Sequence, residues 1–187
     1  MCCGAEREVT VGCPLDCEFL LEARKHDRVA PFTPGALPNP DIRLSRKDLQ
    51  DNEDLLLFLV NAVVAASLGT PGAVDLDARE ALEAIIRTYR TLQNGVYYES
   101  VPENSLAASI YRAVQQGIGE FRQEERKRLG ISKTRDGNIL ALLVYLQRIE
   151  LDRNNGRSRS RAFLGALMEH YRLPQPAPPP PSSLILL

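Results

Sequence analysis

The chain has 187 residues, of which 44% are hydrophobic and 25% charged, with a net charge of −1 and an isoelectric point near 6.2. That length and balance describe one folded domain with a sizeable core and exclude a disordered chain. The acidic balance argues against nucleic acid as a partner, although the acidic excess sits in the first hundred residues and a basic excess follows it. The most apolar run, Leu55 to Leu68, is shorter than the roughly 20 residues a spanning helix requires. Cysteines and charges stand where a secretion signal would carry an apolar stretch. The expected compartment is therefore the cytoplasm, where thiols stay reduced, and no membrane partner is expected.

Val9-Thr10-Val11 predicts a short strand ahead of the break at Gly12-Cys13-Pro14. Gly12 or Cys13 is then expected to cap a first helix with Pro14 at its first position, ending near His26–Arg28. Pro31, Pro34, Pro38 and Pro40 make residues 29–41 an extended connector. Ser45 followed by Asp48 predicts a capping box, and Gly69 closes the helix it starts. A second long helix is expected from Asp77 to Leu92, and Asn94-Gly95 stops it. Val96-Tyr97-Tyr98 reads as a strand or an extended loop that could pair with Val9–Val11.

Leu106, Ile110, Val114, Ile118 and Phe121 form one apolar stripe of a helix closing at Gly130, with Gly117 and Gly119 marking a kink or a close helix crossing. Ile139 to Leu151 is apolar almost all round and predicts a central helix. Phe163, Leu164, Leu167 and Tyr171 define the last helix before Pro174 and a Pro-rich tail. The fold class expected is an all-α bundle of about five or six helices with a small Cys-rich N-terminal strand–helix module. Four segments follow: a Cys-rich, metal-binding module at 1–30, a Pro-rich connector at 31–44, the helical bundle at 45–173, and a flexible tail at 174–187.

All four cysteines, Cys2, Cys3, Cys13 and Cys17, fall within the first 17 residues. On a shared helix N-terminus Cys13 and Cys17 would lie about 40° apart on one face, where unpaired N–H groups favour thiolates. With Cys3 they form the expected ligand set for Zn²⁺, because thiolates brought together repel unless a cation binds. The fourth position stays open between His26 and Cys2, with His170 or solvent also possible. An unbroken helix would carry His26 about 13 Å past Cys17 and round to the opposite side, so His26 qualifies only if the helix breaks after about Ala23. An iron–sulfur cluster on the four thiols and a thiol redox pair are the alternatives.

Cys3-Gly4, Val9-Thr10-Val11, Cys13-Pro14-Leu15-Asp16-Cys17 and Ala23-Arg24-Lys25-His26 resemble the start of an uncharacterised bacterial protein family with an N-terminal Cys-Gly…CPxDC module and a helical remainder. Gly95-Val96-Tyr97-Tyr98-Glu99 and the stretch from Asn155-Gly156-Arg157 to Arg161-Ala162-Phe163 fit the same resemblance. It implies that these segments belong together and draws attention to His26, and it carries no activity. Cys2 departs from the single Cys-Gly start.

Arg153, Arg157, Arg159 and Arg161 cluster around Ser158 and Ser160 just before the last helix. Arginines beside a helix N-terminus suit a phosphate or a nucleic-acid backbone, and a solvated turn capped by Ser158 or Ser160 is the plainer reading. The long helix expected over Arg46–Leu68 could supply a homodimer or partner surface, since its run Leu55–Val60 is apolar around most of the circumference. Phosphate-loop, HExxH, GxSxG and GxGxxG signatures are absent from the chain. With histidines only at 26 and 170, the reading leans to a non-catalytic, metal-stabilised binding or scaffold protein.

Overall fold

The computed structural model describes residues 4–27 and 37–173. Cys2, Cys3, Arg28, Pro31, Pro34 and the tail from Pro174 lie outside the described residues. Helices dominate: α1 (Glu18–Arg24), α2 (Arg46–Asp51), α3 (Glu53–Gly69), α4 (Asp75–Gln93), α5 (Ser105–Leu129), α6 (Asp136–Arg153) and α7 (Ala162–His170). No strand occurs among the described residues. An isolated bridge between Arg7 and Val11 is what stands where a strand was expected. No described helix is long and apolar enough to cross a membrane.

Helix α6 packs against α4, α3 and α7, and α4 packs in turn against α6, α5, α3 and α7. In α6, Ile139, Leu140, Leu142, Leu143, Val144 and Leu146 are all buried, and each contributes about 1.5–3 kcal/mol by leaving water. The all-round apolar pattern read from the sequence therefore does mark the centre. Helix α4 buries Ala78, Ala81, Leu82, Ile85 and Tyr89, which recur at i, i+3, i+4, i+7 and i+11 as one helical face requires.

Helix α5 crosses both α3 and α4. A Cβ at Gly117 would sit 3.3 Å from the Phe58 ring, so the missing side chain permits a close α3–α5 crossing. Phe58 in turn stacks on Phe121 at 4.6 Å between ring centroids. Gly130 ends α5 in the left-handed region at φ 76°, a conformation that costs glycine nothing.

The expected capping box forms, with Ser45 Oγ accepting from Asp48 N and Asp48 Oδ2 accepting from Ser45 N at 2.7 Å. The single helix expected from it to Gly69 divides at Asn52. An amide side chain carries both donor and acceptor, and Asn52 uses both. It donates to Asp48 O at 2.8 Å and accepts from Asn138 at 2.7 Å. The run Leu55–Val60, read as a dimer surface, is mostly spent inside the monomer: Leu55, Leu56, Leu59 and Val60 are buried. Apolar residues around most of a helix find neighbours on several sides when other helices surround it.

Candidate functional site

The site is built where the N-terminal segment meets α7 and the loop before it. The segment opens with a short 3-10 turn at Gly4–Glu6, after which the carbonyl of Glu6 accepts from the N–H groups of Val9, Thr10 and Val11 at 3.1–3.3 Å. Val9-Thr10-Val11 is therefore a tight turn rather than a strand. The segment proposed to pair with it, Val96-Tyr97-Tyr98, is a loop with both tyrosines about two-thirds exposed. That loop is held to α4 through its backbone, with Ser100 N donating to Thr88 Oγ1 at 3.0 Å and Tyr98 O accepting from Thr91.

Turning the chain this way drives Glu8 inward. Its φ is +56° and its side chain is 1% exposed. A non-glycine residue held there costs roughly 1–3 kcal/mol, and a buried carboxylate needs partners. Glu8 Oε1 accepts from Arg24 Nη2 at 2.6 Å and from Arg161 N at 3.2 Å, and Oε2 accepts from Asn155 Nδ2 at 3.0 Å. The backbone carbonyl of Glu8 accepts from Arg159 N at 2.8 Å. Asp27 closes the circuit by pairing with Arg7 and lying 3.7 Å from Arg157. Arg157 Nη1 also donates to Arg7 O at 2.8 Å, and Ser158 Oγ donates to Val9 O at 2.9 Å. Segments that the family resemblance grouped together, around Arg24 and around Asn155 to Arg161, thus meet on Glu8.

The N-terminus of α7, expected to suit a phosphate, faces a carboxylate of the chain itself. Asp75 Oδ2 accepts from Phe163 N at 2.9 Å, Asp75 Oδ1 accepts from Leu164 N at 3.2 Å, and Ser160 Oγ donates to Asp75 at 3.0 Å. In return Asp75 N donates to Ser160 O at 2.9 Å. Ser160, one of the two capping candidates, is buried in this tie and accepts from Ala162 N at 3.1 Å. Burial pushes the Asp75 carboxyl up to about 6, against the pull of these hydrogen bonds, and the charge of Glu150 adds to the rise. Glu150 is itself buried and held bidentately by Arg79 at 2.7 and 2.8 Å.

The arginine cluster is consequently divided among separate tasks. Arg157 braces the N-terminal segment, Arg161 donates from Nε to Ala73 O at 3.1 Å, and Arg159 is exposed with its backbone tied to Glu8. Arg153 is exposed beside Asp152.

The thiols sit on the same segment. Cys13 is buried and Cys17 half-buried, and both are free. Helix α1 starts at Glu18 with Cys17 at its N-cap, whose side chain makes no capping hydrogen bond. Pro14 lies in the preceding turn, closed by Cys17 N donating to Pro14 O at 3.3 Å. The two cysteines therefore flank a turn instead of sharing a helical face. The helix does end at Arg24, close to where a histidine ligand would require. His26 nevertheless lies beyond the far end of α1 from Cys17, 78% exposed and 3.7 Å from Glu22. Seven helical residues span about 10 Å, whereas zinc bonds are about 2.0–2.3 Å long. Cys17 and His26 do not meet on one ion in this arrangement. His170 is exposed, edge-on to the Tyr171 ring. Among the described residues no three His, Cys, Asp or Glu side chains group as metal ligands.

Beside this junction, α1 and α7 frame a cleft of about 760 Å³. Glu8 and Asp75, the residues that organise the junction, escaped the sequence reading. No local spacing marks Glu8, whose side-chain partners include Asn155 and the N–H of Arg161, and Asp75 finds the N–H of Phe163 88 residues away. No protein-family model, curated protein or solved structure matches the chain. Its own geometry defines the class: a helical bundle carrying a thiol-bearing N-terminal segment clamped on by buried charge.

Proposed function

We propose that the protein is a non-catalytic helical binding or scaffold module whose N-terminal segment is completed by Zn²⁺ on Cys13, Cys17 and Cys3. One observation carries this reading. Residues 4–27 bury almost no apolar side chains beyond Cys13 and Leu20, yet they present two free thiols across one turn. Ordering each residue costs roughly 1–2 kcal/mol of backbone entropy, and a metal cross-link is the usual way a segment poor in apolar groups offsets it. The donor set suits zinc: thiolate sulfur, with a third ligand from outside the described residues and Cys2 as the remaining sulfur.

Elemental analysis of untagged protein tests the reading. About one equivalent of zinc per chain is expected, falling away in Cys17→Ser while the helical circular dichroism persists. Transition metal below about 0.2 equivalents, with all four thiols titrating freely, would overturn it. Brown protein absorbing in the visible after anaerobic purification would replace zinc with an iron–sulfur cluster.

A further inference from the structure

The smallest residues of α7 line the cleft between α1 and α7. Ala162, Gly165 and Ala166 line it at spacings of three and four, the separations that put residues on one helical face. At Gly165 the space is already used: a Cβ there would lie 2.8 Å from Arg24 Nη1 and 3.6 Å from the Leu15 side chain. Around this floor the wall is mainly apolar, with Leu15, Leu21, Met168 and Leu173 facing the opening. A volume of about 760 Å³ is that of a small-molecule site, which typically encloses about 300–1,000 Å³.

Charge at the cleft is unbalanced. Arg24 is committed to Glu8 and Asp27 to Arg7, whereas Lys25 pairs with Glu22 at 2.7 Å on the exposed surface, away from any buried partner. That leaves Arg153 and Arg172 with Glu169. Arg153 meets, among the described residues, only the adjacent, exposed Asp152 at 3.4 Å, a surface pair worth about 0–1 kcal/mol. Among the described residues Arg172 has no carboxylate within ion-pair distance. Its backbone is left-handed at φ +52°, fixed by Leu173 N donating to Met168 O at 2.9 Å. Two arginines against one carboxylate among the described residues favour an anion, and two cations are fewer than a nucleic-acid backbone requires.

We propose that this cleft binds a small anion carrying an apolar body, an aliphatic carboxylate or phosphate, with its chain on Leu15, Met168 and Leu173 and its head at Arg153 and Arg172. Calorimetric titration of the full chain with decanoate, decyl phosphate, decanol and inorganic phosphate tests it. Saturable binding of one equivalent of decanoate or decyl phosphate is expected, with a Kd on the order of 10–100 µM. The two anions run side by side identify the preferred head group. Decanol and inorganic phosphate should each bind at least about tenfold more weakly, since each lacks one half of the recognition. Arg153→Gln combined with Arg172→Gln should cost the anions about tenfold and leave decanol unchanged. Ala166→Phe should block all amphiphiles, and Ala166→Leu serves the same purpose if the larger side chain prevents folding. Absence of saturable binding, equal affinity for decanol and decanoate, or full affinity in a folded cleft-filling variant would overturn the proposal.

Discussion

Helix α6 and residues 4–27 both remove side chains almost wholly from water, and they do so by opposite physics. Leu143 in α6 disappears among other aliphatic side chains, an arrangement that tolerates any partner of suitable volume. Glu8 disappears only because Arg24, Asn155 and the N–H of Arg161 are aimed at its two oxygens. The first kind of burial follows from pattern alone. The second requires a specific set of donors, so it is lost whenever one of them is missing. Burying charge this way adds little net stability over an apolar equivalent. What it supplies is a defined placement for the Cys13–Cys17 turn and for the cleft beside it.

The largest expected effect separates the two regions. Leu143→Ala should cost about 2–5 kcal/mol and shift the main unfolding transition in urea. Glu8→Ala should cost about 3 kcal/mol by stranding Arg24, with the loss confined to the junction. The Cys13 thiol should then react with a disulfide reagent about a hundredfold faster, while the urea midpoint of the bundle stays in place. An equal drop in that midpoint would show that the N-terminal segment and the bundle unfold as one unit, and the contrast would collapse.

Asp75 lies between the two regimes, a buried carboxylate that caps a bundle helix. Its value is about 6 in the folded chain against an ordinary 3.8, so the folded state binds the proton more tightly. The stability linked to that proton is fully present below about 3.8 and is lost as the pH rises through about 6. Asp75→Asn should remove this slope. Subtracting its pH–stability curve from that of the native chain should leave a step between those two values, and a flat difference would show that the α7 cap holds its carboxylate without penalty. The smallest effect belongs to Gly117→Ala, where a gain of about 1 kcal/mol in helix propensity opposes a 3.3 Å approach to the Phe58 ring. The net change in thermal midpoint should be small and negative, because Phe58 is pinned against Phe121.

Much of the bundle was legible from residue order. Helix formation repeats every 3.6 residues and its caps act over three or four, so Ser45 with Asp48, the stripe from Leu106 to Phe121, Gly130 and the apolar circumference of Ile139–Leu151 carry their own instructions. The cysteines were legible as a group for the same reason of proximity along the chain. Their geometry was not, because Cys13 and Cys17 proved to flank a turn before α1 rather than share its face. Leu55–Val60 shows the same limit: periodicity reports that a face is apolar and not what covers it, and four of its six residues are buried by the chain's own helices.

Residue order alone thus determined which segments become helices, where most of them end, and which apolar side chains of the bundle avoid water. Only the tertiary structure decided that Glu8 turns inward, that Asp75 takes the N-terminus of α7, that the arginines from Arg153 to Arg161 divide among separate partners, and that α1 and α7 frame a cleft. The physical reason is range. Apolar burial is non-directional and shows itself in local spacing, whereas a buried charge is defined by donors fixed in direction, and here those donors lie up to 153 residues away.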